Sequence, residues 1–358
     1  MINIIFASLT AFVITFLAIP PIIKISIIKN LFDEPNSRKS HQVRIPTLGG
    51  LAIFAGVVFS FTFWSSGFEY PAIQYIIAAM LVLFFIGIKD DIVELSAEKK
   101  FYGQLLAAAI IVLFGNIRVT TFCGLFGIYD IPYLVSILFS MFLVLIIINS
   151  INLIDGVDGL AGGIAAIASF TFGLWFYNYE QYALCILAFS LFSALLAFLV
   201  YNFSPANIFM GDTGSLVVGF ILSVLTINFI QLSFLSPPEA FPFKSGPAMA
   251  IAILIIPLVD TLRVFCIRLL NGRSPFKADR NHLHHVLLDM GMSHREVSLT
   301  LYLVSITFII VALSLHTLGN LIVLFLICGM VILLLATLFI VKYGMMGRVV
   351  NNRVKAVE

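Results

Sequence analysis

Residues 132–163 read PYLVSILFSMFLVLIIINSINLIDGVDGLAGG, and this stretch decides the fold. From Pro132 to Ile148 it holds no charge, and a helix needs roughly 20 mostly apolar residues to cross the hydrocarbon core of a bilayer. At its end Asn149, Asn152, Asp155 and Asp158 recur at every third position, among Gly156, Gly159, Gly162 and Gly163. On an α-helix that spacing keeps neighbours on adjoining parts of one surface, and in a 3₁₀ turn it nearly eclipses them. Helix caps and a glycine hinge explain part of the pattern. Four amide or carboxylate groups in so short a span exceed what capping requires, so the stretch reads as a membrane helix that delivers polar chemistry to one face of a bilayer.

The same test applied outward finds eleven spanning segments, approximately 3–28, 46–66, 71–89, 101–121, 132–152, 159–179, 181–201, 213–234, 247–270, 297–316 and 319–341. The fold expected is all-α, a polytopic membrane bundle of about 11 transmembrane helices, with residues 1–358 forming a single integral membrane domain. At 61% hydrophobic and 11% charged residues, with mean hydropathy +1.10, the chain lies far outside the soluble globular class. The first apolar run lacks a basic leader and extends from Ile2 to about Ile28, too long for a signal peptide, so it reads as a retained first span. Cys123, Cys185, Cys266 and Cys328 are scattered singly in apolar runs, with no zinc spacing, and read as small core residues.

Orientation follows from charge. With the N-terminus outside, only Arg118 and Lys244 of the 20 Lys and Arg residues fall on the outer side. The other side is the cytosolic one, and it holds the C-terminus and the loops 29–45, 89–100, 153–158, 202–212 and 271–296. A net charge of +2 says little about partners, and no nucleic acid is expected.

The titratable groups gather on that same side: five of the 6 histidines (His41, His282, His284, His285, His294) and most of the acids. In GIKDDIVEL, Asp90 and Asp91 stand at the end of the third helix, where adjacent anions oppose the helix dipole and mark a place for a cation or a proton acceptor. In NFSPANIFMGDTGSL, Asp212 or Thr213 suits a helix N-cap, and Asp212 between Gly211 and Gly214 equally suits a hard metal ion. In RLLNGRSPFKADRNHLHHVLLDMG, the spacing lets His282 and His285 share a helical face while His284 points elsewhere. Arg280 and Lys277 add positive charge there, so the loop suits phosphate or an anionic lipid surface. DEPNSRKSHQVRIPTLGG, with Arg44, is taken alone an ordinary basic juxtamembrane loop, and Asp260 with Arg263 reads as an intramembrane pair facing the bundle interior.

Taken in order, RKSHQVRIPTLGG, the Asp90–Asp91 pair, NLIDGVDGLAGG, FMGDTGSL, PLVDTLRV and SPFKADRNHLHH resemble the polyprenyl-phosphate N-acetylhexosamine-1-phosphate transferases, glycosyl transferase family 4. The resemblance runs from about Arg38 to His285. The His-Leu-His-His of this chain, in place of three consecutive histidines, resembles the bacterial undecaprenyl-phosphate N-acetylglucosamine-1-phosphate transferase branch, although Thr47 stands where that branch often has arginine.

The resemblance implies transfer of N-acetylhexosamine 1-phosphate, N-acetylglucosamine 1-phosphate within this branch, from a UDP-sugar to polyprenyl (undecaprenyl) phosphate, with release of UMP, as the first membrane step of a cell-envelope glycan. It further implies a multi-pass protein of the cytoplasmic (inner) membrane with its active site facing the cytosol, using Mg²⁺ with Mn²⁺ as a substitute. Asp212 and Asn152 are the implied metal ligands. Asp90, Asp91, His282, His284 and His285 are the implied catalytic groups. Arg44, Asn149, Asp155, Asp158 and Arg280 are implied in substrate binding. The partners are then UDP-N-acetylhexosamine, polyprenyl phosphate and the bilayer, and a homodimer is among the assemblies allowed. UDP-MurNAc-pentapeptide is the alternative donor. A secondary transporter is the alternative outside enzymes, although transporters place their sites near the midplane, often between repeats that this chain does not show.

Overall fold

Uncharged runs become helices here because, inside a bilayer, each backbone N–H and C=O must be satisfied within its own segment. The computed structural model describes residues 1–32, 45–125, 127–235, 245–270, 272 and 282–355, with 343–355 as backbone alone. In chain order the helices are α1 (Ile2–Lys29), α2 (Gly49–Trp64), α3 (Ile73–Ile92), α4 (Ala97–Ala109), α5 (Tyr133–Ile154), α6 (Leu160–Asn178) and α7 (Tyr182–Asn202). They continue with α8 (Gly211–Leu235), α9 (Gly246–Ile253), α10 (Ile255–Leu270), α11 (Leu283–Asp289), α12 (His294–Ser314) and α13 (Asn320–Lys355).

Among the described residues, α1, α3, α5, α6, α7, α8, α12 and α13 are the 8 helices long and apolar enough to cross a membrane. The run expected as one helix over 247–270 is two, α9 and α10, bent by 81°, and as one span they make a ninth. Pro257 supplies the reason, since it has no N–H to offer the carbonyl of Ile253 four residues earlier. Two other expected spans are shorter than drawn. α2 has 16 residues, and α4 has 13 followed by a π-helical turn, Ile110–Phe114.

The purely helical expectation also needs correcting at the end of the 101–121 segment. There the chain leaves the helix at Gly115 and forms an antiparallel hairpin of β1 (Thr121–Leu125) and β2 (Ile128–Asp130). Glycines at positive φ, Gly124 and Gly127, permit the turn. The hairpin is tied to the bundle by Gln231, whose Oε1 accepts from the Thr120 N–H at 3.1 Å, and by Asn320, whose Nδ2 donates to the Cys123 carbonyl at 3.0 Å.

α8 is the central pillar, with 83% of its apolar window buried against 11% for α13 at the rim. It packs on α3 and α5, with α2 and α6 beside them, while α1 lies along α7 and α2. Large apolar side chains left outward, such as Leu9, Phe142 and Phe325, suit a lipid-facing surface. The start of α8 is held by direct backbone packing. A Cβ on Gly50 would stand 2.1 Å from the Gly214 nitrogen, and one on Gly87 would stand 2.4 Å from Thr213 Cα. Only glycine lets α2 and α3 come this close, and that approach positions the site.

Candidate active site

The end of α3, the end of α5 and the start of α8 meet at one end of the bundle. Asp91, in the last turn of α3, sends its carboxylate across to the start of α8. Its Oδ1 accepts from the Asp212 N–H at 2.7 Å, and its Oδ2 accepts from the Thr213 N–H at 3.0 Å and the Thr213 hydroxyl at 2.5 Å. The first N–H groups of a helix have no partner within it and carry the positive end of its dipole. An anion there is well matched, each charge-assisted hydrogen bond contributing about 1.5–3 kcal/mol. Gly211, at φ +69, gives the preceding turn a left-handed conformation in which other residues are strained.

Asp90, next to it, turns to the loop after α3 and to the side chain of Asp212, where Asp91 takes the backbone of Asp212. It is buried, its Oδ1 accepts from the Leu95 N–H at 2.7 Å, and its Oδ2 pairs with the Lys100 ammonium. Lys100 Nζ also lies 2.9 Å from Asp212 Oδ2, so one ammonium bridges two carboxylates. Asp212 Oδ1 accepts from Asn152 Nδ2, which is 2.8 Å from Ser215 Oγ as well. Asn149, one turn earlier on α5, is joined to Gln104 of α4, donating from Nδ2 to Gln104 Oε1 at 2.7 Å. This pair holds α4 against α5 and thereby sets the base of Lys100, four residues before Gln104.

Asp155 caps the C-terminal end of α5, and its carboxylate makes no hydrogen bond among the described residues. Burial, with the charges of Asp212 and Asp91 adding to it, pushes its pKa up to about 7. The three-residue rhythm breaks after it. Asp158 lies beyond the helix end, is buried, accepts from the Ala206 N–H at 3.2 Å and stands 3.4 Å from His294 Nδ1. It belongs to a second knot, where the Gly159 N–H donates to Asn202 Oδ1 at 2.9 Å and the Tyr302 hydroxyl donates to the Gly159 carbonyl. Asn149 and Asn152 thus lie on the last turns of α5, Asp155 caps it, and Asp158 stands beyond its end.

The histidine loop closes on this turn. His282 precedes the first residue of α11, and the three imidazoles cluster, with ring centroids 5.5 Å apart for His282–His284, 4.3 Å for His284–His285 and 6.4 Å for His282–His285. The spacing argument that sent His284 away from the other two fails because α11 starts only at Leu283. A Cβ on Gly156 would stand 2.9 Å from His284 Nε2, so this ring lies directly on the Asp155–Asp158 turn. Burial pushes the His284 pKa down to about 3, against the pull of Asp260, which favours the neutral ring. Both oxygens of Asp260 go to this loop, to His282 and to the Leu283 N–H, where the sequence suggested a pairing with Arg263. Arg44 and Arg280 lie outside the described residues.

Lys100, Gln104 and the His294 contact to Asp158 were missed from sequence. Lys100 and Gln104 had a signal, since Gly103, Gln104, Ala107 and Ala108 form the buried face of α4 and Lys100 sits one turn before it. Chemically, the site offers a carboxylate cluster that already attracts one ammonium ion, next to a group of imidazoles. Among the described residues no three His, Cys, Asp or Glu side chains form a ready metal cage. The donors present are nonetheless hard oxygens. Asp212 is the central one, and a half-turn of the Asn152 amide would bring its oxygen to the same place, a set that fits Mg²⁺ better than zinc.

A profile of the family described as Glycosyl transferase family 4 matches residues 73–230. A Bacillus subtilis (strain 168) protein named probable undecaprenyl-phosphate N-acetylglucosaminyl 1-phosphate transferase is 34% identical over 309 residues, covering 85% of this chain and 83% of its own. The decaprenyl-phosphate N-acetylglucosaminephosphotransferase of Mycobacterium tuberculosis (strain ATCC 25618 / H37Rv) is 32% identical over 315 residues, 82% of this chain and 78% of its own. The undecaprenyl-phosphate alpha-N-acetylglucosaminyl 1-phosphate transferase of Escherichia coli (strain K12) is 28% identical over 273 residues, 74% of this chain and 71% of its own.

Proposed function

Because the chain belongs to glycosyl transferase family 4, we propose that it transfers N-acetylglucosamine 1-phosphate from UDP-N-acetylglucosamine to undecaprenyl phosphate. The observation that carries this reading is the meeting, at one end of the bundle, of the Asp90–Lys100–Asp212 bridge with the histidine loop through Gly156 and His284. A lipid phosphate is confined to the headgroup plane and a nucleotide sugar to water, so a cleft at a bundle end suits them both. The gathering of charged and imidazole groups there, and not at mid-depth, favours a transferase over a transporter.

An oxygen of the lipid phosphate attacks the β-phosphorus of the UDP-sugar in line. The bond from that phosphorus to the bridging oxygen breaks, and UMP leaves. Asp212 and Asn152 would hold Mg²⁺, which when bound offsets the mutual repulsion of the two phosphate groups. Asp90 takes up a proton from, or orients, the acceptor phosphate. Asp91 shares that duty by fixing the start of α8, and with it Asp212. Lys100 is placed to turn from the carboxylates to a phosphate oxygen. Asp155, Asp158 and Asn149 line the nucleotide and sugar pocket. His282, His284 and His285, with Arg280 and Arg44, hold the diphosphate.

We count eleven crossings, the eight long helices with the α9–α10 pair, α2, and α4 with its π-turn, in one domain with the N-terminus outside and the site facing the cytosol. The bias of basic residues supports that orientation.

The test uses purified protein, undecaprenyl phosphate, Mg²⁺ and a panel of UDP-sugars that includes UDP-MurNAc-pentapeptide, scored by UMP release and lipid-linked product. UDP-N-acetylglucosamine is the donor expected to turn over. Asp212→Asn is expected to lower the rate about 10³-fold while the protein still inserts, the scale of losing a preorganised charge contact. Turnover with none of the panel, or with UDP-MurNAc-pentapeptide alone, would overturn the reading.

A further inference from the structure

Asp260 has no part in the chemistry assigned so far. It lies in α10, 1% exposed, in the otherwise apolar stretch IIPLVDTL. An acid in such a place is costly unless its oxygens are satisfied, and both are. Oδ1 accepts from the Leu283 N–H at 2.6 Å, at the first turn of α11, and Oδ2 lies 3.0 Å from His282 Nδ1. A carboxylate has only acceptor capacity to offer a ring nitrogen, so the proton of the neutral imidazole sits on Nδ1. In the neutral ring the lone pair is then on Nε2, for which no hydrogen bond is found among the described residues. His284 does not share the arrangement, because its Nδ1 is 3.8 Å from the same oxygen, beyond hydrogen-bond reach.

We propose that Asp260 is the positioning residue of His282: it fixes the Nδ1–H tautomer and seats the ring at the start of α11, which makes Nε2 the nitrogen that meets the transferred phosphoryl group. When Nε2 takes up a proton, its new N–H donates to a phosphate oxygen. Nδ1–H stays on Asp260, so the imidazolium is stabilised from both sides. The assignment rests on the transferase reading for what Nε2 touches, and on geometry alone for the tautomer.

Asp260→Asn separates the two duties of the side chain. The asparagine oxygen still accepts from the Leu283 N–H, so the α11 cap survives. Its amide nitrogen then donates to His282 Nδ1 and moves the ring proton to Nε2. The protein is labelled with ¹⁵N-histidine in detergent, and the His282 signals are identified by their loss in His282→Gln. The parent is expected to show an unprotonated Nε2, and Asp260→Asn a protonated one. The kcat of Asp260→Asn is expected to fall about 10²-fold with KM for the UDP-sugar within about threefold, as for a ring held in the wrong tautomer. Asp260→Glu, which restores the acceptor, is expected to recover part of that loss.

A parent spectrum with the proton on Nε2 overturns the proposal. So does an Asp260→Asn protein whose ring changes tautomer at unchanged kcat, or whose rate falls only with its folded fraction. If that variant does not accumulate, the parent spectrum alone decides. The spectrum requires no turnover, so a failure to find any substrate would sink the transferase reading and leave this one standing or falling by itself.

Discussion

At the start of α8 an acid from α3 caps the helix, and at the start of α11 an acid from α10 does the same, yet the two junctions differ in what lies behind the cap. Behind Asp91, backbone meets backbone: Gly50 lies against Gly214, and Gly87 against Thr213. Behind Asp260, contact with the neighbouring turn is made by the edge of a ring, His284 against Gly156. α8 is also a long central helix, whereas α11 spans only Leu283–Asp289. The lesson is one of stiffness. A carboxylate cap sets where a helix begins, and the packing behind it decides whether that point can move. The acid cluster sits on a seat with no give, and the histidine loop on one that can yield by the swing of a side chain.

Gly50→Ala tests the stiff side, where the largest effect is expected. Its Cβ would meet main-chain atoms at 2.1 and 2.4 Å, which no rotamer can relieve, so the cost is about 3 kcal/mol or more. The expected outcome is loss of monodisperse protein on extraction, read by size-exclusion chromatography. A stable, active Gly50→Ala protein would break the contrast at its root. Next in size comes Lys100→Met, which leaves the α8 seat intact and removes the ammonium between Asp90 and Asp212. Turnover is expected to fall about 10²-fold in the UMP-release assay, the scale of one lost charge contact at a developing transition state. A loss below twofold would reduce Lys100 to a counter-ion.

Much of this was legible in the chain itself. Charge-free runs gave the eight long apolar helices, and acids and histidines from the ends of such runs gather on one side of the bundle. The Asp90–Asp91 pair, Asp155 and Asp212 meet because each stands at a helix end on that side, and helix ends can be read from where polarity begins. What could not be read depends on geometry between elements. The break at Leu254 is a local effect of Pro257, masked by unbroken hydropathy. The hairpin after Gly115 hides behind the same apolar composition as a span. Asp158 left its three-residue series because the helix stops at Ile154, and a periodicity argument holds only while the helix does. Asp260 found His282 and not Arg263 because the start of α11 folds back onto α10 and brings the Leu283 N–H and the His282 ring to it, a relation that no spacing within one helix contains.

Gly156→Ala sharpens the compliant side. The nearest atoms to the added Cβ would all belong to the His284 ring, Nε2 first at 2.9 Å, and a ring can tilt by the few tenths of an ångström required. Folding is expected to survive, with kcat/KM lowered about fivefold, equivalent to about 1 kcal/mol. A collapse like that expected of Gly50→Ala would show the loop to be as stiff as the α8 seat.

The smallest effect concerns Asp155, which lies where the two regions face each other. Burial, together with the charges of Asp212 and Asp91, raises its folded pKa to about 7, well above the ordinary carboxylate range. A raised pKa means that the fold favours the protonated form. The stability this confers is fully present below the unfolded pKa of about 4 and is lost as pH rises through about 7. In metal-free buffer the parent is therefore expected to lose thermal stability between pH 5 and pH 8. Asp155→Asn, which cannot ionise, is expected to lose about 2–4 °C less over the same interval. Thermal unfolding in detergent with a chelator present measures the difference. If both proteins show the same slope, the charges of the α8 seat do not reach the turn on which the histidines rest, and the two junctions are electrostatically separate. If the parent alone is pH-sensitive, and saturating Mg²⁺ removes the sensitivity, then the acid cluster and the histidine loop are linked through Asp155, the one carboxylate of the cluster without a hydrogen bond among the described residues.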